Sequence, residues 1–215
     1  MKNPNTADFW DTKVISEKQS LITSPIYQDK NKIVYSYLKN SSGRLLNIGV
    51  GIGYLESLFK AKKSSISLFG TDISNNAIRE LKRNNSDKYF ISRPGKIPFA
   101  NGFFDHILLL DVIEHLTDKE IESTFKELRR VIKHNGDLIV SVPINEEESD
   151  TVKNGHLKVY TSYKLTRLLL KNNFRTTKIQ YLTAFRNFYS LKSVLNKFFS
   201  FRKPNLVIFF TKFNQ

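Results

Sequence analysis

The segment Arg44–Phe59, which reads RLLNIGVGIGYLESLF, constrains the fold of this chain more than any other. A short apolar run is followed at once by Gly49, Gly51 and Gly53, and the residues after them have the apolar spacing of a helix. Glycines can simply make a tight turn, but they also let a bound molecule approach the backbone closely. A strand, a glycine-rich turn and a helix in this order predict an open α/β sheet with a ligand at the first turn.

The following residues continue the alternation of strand and helix. Further strands are predicted at SISLFGTDI, KYFIS, FDHILLLDV and GDLIVSVPI, the last beginning after an Asn135–Gly136 turn. Helices are predicted at NNAIRELKRN and DKEIESTFKELRRVIK, and an earlier one begins at Ser24–Pro25. Strands that alternate with helices at this spacing indicate a parallel sheet with helices on both faces, which is an α/β fold of three layers.

The two ends of the chain flank this alternating region. Residues 1–40 are predicted to form an N-terminal arm and helix, and residues 41–215 to form one domain. In the last part of that domain, TSYKLTRLLLKNNF is a predicted helix, and RTTKIQYL and NLVIFFTKF are predicted strands. A basic, aromatic helical insertion is predicted between those two strands, at about 184–203.

Most of the net charge is in the C-terminal third of the chain. The 215 residues carry a formal charge of +14, and residues 151–215 contain 13 Lys or Arg and no acidic residue. A basic surface concentrates anions such as nucleic acid, acidic lipid or phosphorylated substrates. Cysteine is absent, which excludes disulfides and thiol nucleophiles. Without a signal-peptide pattern or an apolar run of ~18 residues, we expect a cytoplasmic protein.

A carboxylate follows the glycine turn at the distance expected for a ribose contact. Asp72 ends the second predicted strand, 19 residues after Gly53, where it can bind both hydroxyls of a ribose. Tyr54 stands where the dinucleotide fingerprint needs a small residue, which disfavours NAD. The GK[ST] sequence of a phosphate-binding loop is also missing. A nucleoside without phosphates therefore fits better, and S-adenosylmethionine is the common one.

From about Gly43 to Phe174 the chain resembles the class I S-adenosylmethionine-dependent methyltransferases of the small-molecule type. The segments that carry the resemblance are LLNIGVGIG, GTDIS, IPFANGFFDHILLLDVIEHL, LRRVIKHNGDLIVSVP and HLKVYTSYKLTRLLLKNNF. The resemblance implies a Rossmann-like α/β/α fold with a seven-stranded, mostly parallel sheet whose last strand is antiparallel. It also implies S-adenosyl-L-methionine as the cofactor.

The same resemblance implies a set of cofactor-binding residues. The glycines would pass close to the methionine part, Asp72 would bind the ribose, Ile73 would lie against the adenine, and Asp111 would lie near the methionine or the reacting methyl group. Two positions depart from the family pattern: Asn47 replaces the acid that usually opens the glycine motif, and Arg93 stands roughly where an aspartate often binds the adenine amino group. The full set is Gly49, Gly51, Gly53, Asp72, Ile73 and Asp111.

Candidate catalytic residues lie in DVIEHL and NGHLKVYT. A hydroxyl acceptor needs a base to remove its proton, and histidine titrates near neutral pH. We therefore take His156, His115 and Glu114 as the catalytic candidates, whereas the alternative is that Glu114 and His115 only orient the following loop. His106 and His134, at a predicted strand start and helix end, are interpreted as structural.

Four of these residues also resemble a metal-ligand set. Asp111, Glu114, His115 and His156 match the divalent-cation ligands of small-RNA 2′-O-methyltransferases and of ubiquinone-biosynthesis O-methyltransferases. However, Asp111 is shorter than the glutamate usual there, and many metal-free relatives share the Glu-His pair. We therefore assign no metal ligand from the sequence and leave the use of a divalent metal open.

The C-terminal segment leaves three interpretations open. Residues 181–215 hold ten of the 27 aromatic residues, interleaved with Arg and Lys. Such a segment can contact a membrane surface through 185–203, stack on nucleic acid, or cover the sheet edge and form the roof of the acceptor pocket.

Together these features predict a methyltransferase that acts on a small-molecule, anionic or lipid-linked acceptor, with a hydroxyl oxygen as the acceptor atom. The alternatives are an RNA methyltransferase that uses the basic C-terminal region, and a non-catalytic binding protein that keeps the fold.

Overall fold

Seven strands form one sheet in a computed structural model of the chain, which describes residues 4–84, 88–146, 151, 154–185 and 189–214. The strands are β1 (Gly43–Ile48), β2 (Ile66–Asp72), β3 (Tyr89–Ile91), β4 (Phe104–Leu110), β5 (Ile132–Pro143), β6 (Phe174–Leu182) and β7 (Leu206–Phe213). Their order in the sheet is β3-β2-β1-β4-β5-β7-β6. Strand β7 runs antiparallel to both of its neighbours, and the other pairs are parallel. The architecture implied by the sequence resemblance is confirmed.

Seven helices accompany the strands among the described residues. They are α1 (Ala7–Thr23), α2 (Pro25–Leu38), α3 (Tyr54–Ala61), α4 (Asn75–Asn84), α5 (Asp118–Val131), α6 (Ser162–Lys171) and α7 (Tyr189–Phe199). A 3₁₀ turn, Ile113–His115, lies between β4 and α5. Helix α5 begins with a capping box, in which Thr117 and Glu120 each bond the other's backbone N–H. None of the described helices combines the length and the apolar character that crossing a membrane requires.

The hydrophobic core lies on both faces of the central strands. Neighbouring residues of β1, Leu45 and Leu46, are fully buried in different apolar clusters, because successive side chains of a strand point to opposite faces. Leu46 shares its cluster with Phe125 of α5, and Leu45 shares its cluster with Phe59 of α3. Burial on both faces explains why these strands read as continuous apolar runs, and it fixes their carboxyl ends at one edge of the sheet.

The start of β5 differs from the prediction. The helix before it ends at Val131 and the strand begins at Ile132, without a separate Asn135–Gly136 turn. Asn135 instead has a φ of +58°, and the pairing of β5 with β4 shifts register between Phe104 and His106. The turn residues therefore form a bulge inside the strand, which places His134 on β5 rather than at a helix end.

Candidate functional site

A cavity of about 780 Å³ lies at the carboxyl ends of β1, β2 and β4. Its floor includes the glycine turn and the residues that end those strands, and α1 and α2 cover it with side chains that include Trp10, Lys13 and Lys30. Open parallel sheets bind ligands at this edge. The cavity brings together Asp72, Ile73, Asp111, Glu114, His115 and His156.

The three glycines of the turn have different surroundings. Gly49 and Gly51 line the cavity. Gly51 has a φ of +53°, and a Cβ added there would meet no atom within 4 Å. Gly53 does not line the cavity; a Cβ there would lie 2.6 Å from Cδ2 of Leu81, so its small size serves the packing of α3 against α4. The open space for a ligand is therefore beside Gly51.

The Asp72 carboxylate holds the turn in place. The Gly51 N–H donates to its Oδ2 at 2.9 Å and the Ser74 N–H donates to its Oδ1 at 2.8 Å. Burial raises the pKa of Asp72, and these backbone hydrogen bonds oppose the rise. An ionised carboxylate can accept about four hydrogen bonds, so further acceptor capacity is available to a ligand in the cavity.

Asn47 lines the cavity behind the turn and has a partner that the sequence interpretation missed. Its Nδ2 donates to Oε1 of Glu56 at 2.7 Å, and burial raises the pKa of Glu56 to about 7. No hydrogen bond to Asn47 Oδ1 is found among the described residues. The charged Glu56 on the otherwise apolar face of a short helix, one turn before Phe59, was the signal in the sequence.

Asp111 pairs with a buried lysine from α2. Lys30 and the Ser141 hydroxyl both bond its carboxylate. Burial alone would raise the pKa of Asp111, but these two partners bring it below its usual value. Lys30 is 4% exposed and lies 4.7 Å from the ring centre of Tyr27. Its position one turn before Ile33 and Val34, on the predicted apolar face, was an overlooked signal.

Glu114, His115 and His156 converge at the other end of the cavity. The loop that carries His156 crosses the 3₁₀ turn, where the N–H groups of Leu157 and Lys158 donate to the Glu114 carbonyl at 2.8 and 3.2 Å. One potential ligand atom from each of the three side chains lies within 4.8 Å of the others. The histidine ring centres are 4.7 Å apart.

Both of these histidines have their Nδ1 atoms engaged. His156 Nδ1 donates to the Glu146 carboxylate at 2.8 Å, and His115 Nδ1 donates to the Gly155 carbonyl at 3.2 Å. The His115 ring also packs edge-on against Trp10, and burial lowers the pKa of His115 to about 4. By contrast, His106 bonds Asp137 at 2.8 Å, and neither it nor the exposed His134 lines the cavity.

The Glu114 side chain is fully buried. Neither of its carboxylate oxygens has a hydrogen-bond partner among the described residues. Burial raises the pKa of Glu114 well above its usual value, and the nearby Asp111 carboxylate raises it further. Buried polar groups are nearly always satisfied in native proteins, so a pair of unpartnered oxygens requires an explanation.

The roof of the cavity comes from the N-terminal helices and not from the C-terminal insertion. Within the described part of 184–203, no residue lines the cavity. Phe185 and Tyr189 instead line a separate cavity of about 300 Å³ beside Ser24–Ile26. The interpretation of the insertion as a roof is therefore wrong for these residues; residues 186–188 lie outside the described part of the chain.

Comparison with known proteins relates this site to methyltransferases. Residues 46–140 match the methyltransferase domain family. The protein YrhH of Bacillus subtilis (strain 168), named as a candidate methyltransferase, is 28% identical over 149 residues, which cover 67% of this chain and 78% of YrhH.

Two solved structures resemble the whole fold. The N-methyltransferase NodS of Bradyrhizobium japonicum WM9, in complex with S-adenosyl-L-homocysteine, aligns with a TM-score of 0.73 and 12% identity, over 98% of this chain and 100% of NodS. The 1,6-didemethyltoxoflavin-N1-methyltransferase of Burkholderia thailandensis, with 1,6-didemethyltoxoflavin and S-adenosylhomocysteine bound, aligns with a TM-score of 0.73 and 11% identity, over 97% of this chain and 87% of that protein. At these identities the likeness describes the fold alone.

Proposed function

We propose that this chain is a class I S-adenosylmethionine-dependent methyltransferase and that it methylates a hydroxyl oxygen of a small-molecule or lipid-linked acceptor. The observation that carries the proposal is the Asp72 carboxylate, held by the Gly51 N–H at the edge of a large cavity. A carboxylate at the end of β2 is placed to bind the two hydroxyls of a ribose.

The residues around Asp72 fit S-adenosyl-L-methionine. The free space beside Gly51 would accommodate the cofactor where a side chain would block it. Ile73 and Arg93 line the same part of the cavity and would lie beside the adenine. Asn47 Oδ1 would accept a hydrogen bond from the cofactor's ammonium group, in place of the acid found in related proteins.

The chain's own task is to align the acceptor, exclude water and handle a proton. The cofactor supplies a methyl group on a sulfonium, which leaves as a neutral thioether. Alignment can account for a large part of the rate in such a displacement. The roof formed by α1 and α2 would keep water from the reacting atoms.

The proton of the acceptor hydroxyl would be taken up at the Glu114–His115–His156 cluster. His156 would act as the base that takes this proton. Its Nδ1–H donates to Glu146, so its Nε2 carries the lone pair. The low pKa of His115 keeps that ring neutral at pH 7, and it would position the acceptor beside His156.

Calorimetry with S-adenosyl-L-methionine and S-adenosyl-L-homocysteine tests the proposal. We expect the wild type to bind both, and Asp72→Ala to weaken binding roughly 10- to 100-fold, since hydrogen bonds to a charged group contribute about 1.5–3 kcal/mol each. Asp118→Ala, which removes a 93% exposed carboxylate, is the matched control and should bind normally. A wild type that binds neither compound would contradict the proposal and favour a binding protein that only keeps the fold.

We also propose that α7 docks on an anionic membrane surface, which would bring the enzyme to a lipid-linked acceptor. Helix α7 buries none of its residues. Leu191, Val194, Leu195 and Phe198 lie one and two turns apart on one face, and all are exposed, Phe198 to 77%. An apolar helix face that is turned outward is typical of interfacial helices.

The positive charge beside this apolar face of α7 indicates what kind of surface it binds. Lys197, Arg202 and Lys203 are exposed beside it, and the chain from residue 151 onward has no acidic residue. Each basic residue near an anionic bilayer contributes about 1 kcal/mol of binding. Neutral vesicles would lack this attraction, so anionic lipid is the occupant that the surface fits.

Sedimentation with vesicles that contain or lack an anionic phospholipid tests this docking. We expect the wild type to bind anionic vesicles only, salt to weaken the binding, and Lys197→Glu with Phe198→Ser to abolish it. Lys171→Glu, an exposed change at the end of α6, is the control and should bind like the wild type. The docking proposal would be refuted if the wild type does not bind anionic vesicles, or if it binds single-stranded RNA more tightly than it binds them.

A further inference from the structure

We propose that Glu114, His115 and His156 bind a divalent metal ion at the acceptor end of the cavity. These side chains come from the 3₁₀ turn after β4 and from the loop after β5, and each offers one ligand atom within 4.8 Å of the others. This spacing is slightly wider than two ligands of one ion at about 2.1 Å each, so a small inward shift completes the site.

The histidine tautomers suit metal binding. Carboxylate and carbonyl oxygens only accept hydrogen bonds, so the Nδ1 atoms that contact Glu146 and Gly155 must donate. A neutral ring that donates from Nδ1 carries its lone pair on Nε2. Metal-binding histidines almost always have such a partner on the other nitrogen, which orients the ring. Glu146 and the Gly155 carbonyl therefore match the outer partners of a metal site.

The Glu114 carboxylate also lacks the partners that its burial requires. Its carboxylate is fully buried, and neither oxygen has a hydrogen-bond partner among the described residues. A buried carboxylate without partners is costly, and coordination of a cation would compensate for it. Carboxylates in a cluster on the protein surface differ from Glu114, because water can bond their oxygens.

Asp111 does not belong to the ligand set. Its carboxylate already accepts bonds from Lys30 and Ser141, so a metal would have to displace a buried ammonium. The ligands that the geometry favours are thus one carboxylate and two imidazoles. The other charged groups that face the cluster are Asp111, Glu146, Lys13 and Lys30, of which the two lysines oppose a cation and the two acids favour it.

The ligand set indicates the kind of metal. Two imidazoles and one carboxylate suit Zn²⁺, Mn²⁺, Fe²⁺ or Co²⁺, whereas Mg²⁺ and Ca²⁺ prefer oxygen ligands. Three protein ligands leave at least one coordination position, and the ligands line the cavity, so that position faces it. If the proposed function holds, the acceptor's oxygen would bind there, and the metal would lower the pKa of its hydroxyl in place of base catalysis by His156.

Titration of the EDTA-treated full chain with cobalt(II) chloride tests the site. Ligand-field absorption of Co²⁺ should appear and saturate at one ion per chain. Glu114→Gln and His156→Ala should lose this signal, and His134→Ala, which removes an exposed histidine, should keep it. Glu146→Gln should weaken the affinity roughly 10- to 100-fold, as expected for a residue that orients a ligand.

Two results would overturn the proposal: a wild type without a saturable Co²⁺ signal, or a signal that survives both Glu114→Gln and His156→Ala. Binding of S-adenosyl-L-homocysteine is measured on the same samples, with and without metal. Because the proposed contact of the cofactor with Asp72 needs no metal at Glu114, binding of S-adenosyl-L-homocysteine without a Co²⁺ signal would refute the metal site alone. Loss of S-adenosyl-L-homocysteine binding by the wild type would refute the methyltransferase proposal. Melting temperatures of the variants separate loss of the site from loss of the fold.

Discussion

Two buried glutamates differ in how the chain satisfies them: Glu56, beside the glycine turn and Asp72 (the cofactor end of the proposed site), and Glu114, which lies with His115 and His156 (its acceptor end). At the cofactor end, Glu56 Oε1 accepts a hydrogen bond from Asn47, Glu56 Oε2 has no partner among the described residues, and Asp72 nearby accepts two hydrogen bonds from backbone N–H groups. At the acceptor end, neither oxygen of Glu114 has a partner among the described residues. Burial raises the pKa of both glutamates.

The difference is one of degree: contacts within the chain satisfy part of the Glu56 carboxylate and none of the Glu114 carboxylate. At the cofactor end, the Gly51 and Ser74 N–H groups hold the Asp72 carboxylate, at which we propose that the ribose binds. The acceptor end places a carboxylate and two imidazoles together and leaves Glu114 for a ligand to satisfy. The first two of the following changes test this distinction directly, and the other two test contacts of the helices that cover the cavity.

The largest effect is expected from His156→Ala. Removal of a base or a metal ligand should reduce turnover by roughly 100-fold or more, with unchanged affinity for S-adenosyl-L-homocysteine. Turnover is measured with the acceptor once it is identified, and affinity by calorimetry. His134→Ala is the control. A parallel loss of cofactor affinity would mean that the two ends are not independent.

Glu56→Gln should change the pH dependence of stability. With a folded-state pKa of about 7 against an ordinary 4.5, Glu56 is protonated in both states at low pH, and its ionisation disfavours the folded state as the pH rises. The wild type therefore loses stability between pH 4.5 and 7, and the variant should be more stable by about 3 kcal/mol above that range.

Urea denaturation at pH 5 and pH 8 measures this difference, with Glu122→Gln on the exposed face of α5 as the control. If the free energy of unfolding has the same pH dependence in the wild type and in Glu56→Gln, ionisation of Glu56 costs the folded state little free energy. The contrast with Glu114 would then be smaller than the geometry indicates.

Lys30→Met removes the cation that pairs with Asp111 in the cavity wall. Asp111 would lose its ion pair and keep only the Ser141 hydroxyl. Breaking a fully buried pair costs about 3–5 kcal/mol, and we expect about 2 kcal/mol because the Asp111 side chain is 34% exposed. Lys30→Met with Asp111→Asn should recover most of that loss in urea denaturation. If Lys30→Met with Asp111→Asn is as unstable as Lys30→Met alone, the stability loss does not come from the ion pair between Lys30 and Asp111.

Asp11→Ala should have the smallest effect. Asp11 accepts from the Asn76 N–H and the Ser74 hydroxyl, and so attaches α1 to the start of α4. Loss of such a cap costs about 1 kcal/mol. Thermal unfolding measures it, with the exposed Asp8→Ala as the control. Because α1 covers the cavity, a modest loss of cofactor affinity should accompany the loss of stability. Unchanged cofactor affinity would mean that the position of α1 over the cavity does not depend on the contact between Asp11 and α4.

The sequence predicted the cofactor end better than the acceptor end. The glycine turn is contiguous in the chain, and Asp72 follows from the order of parallel strands, so local patterns were sufficient. Lys30 and Asp111 are 81 residues apart, and α2 could have packed elsewhere on the sheet. Glu146 likewise contacts His156 across a loop whose path no periodicity predicts.

Apolar periodicity in the sequence also did not predict whether a helix face points into the protein or outward. The apolar spacing of α7 predicted a helix, and α7 spans Tyr189–Phe199 within the expected insertion. The same spacing suits a face that packs inward and a face that is exposed, and the structure has the second. The bulge at Asn135 was missed because Asn-Gly also favours a turn, and only the pairing with β4 decides between them.

The contribution of α1 and α2 to the cavity has a consequence for how such a protein can diversify. The glycine turn and Asp72, which we propose bind the cofactor, belong to the sheet and its first turn, whereas Trp10, Lys13 and Lys30 belong to helices that precede the first strand. Replacing that preceding segment would change the shape and charge of the helices that cover the cavity, while the glycine turn and Asp72 would remain part of the sheet. Exchanging α1 and α2 between relatives is thus a direct route to retargeting the enzyme.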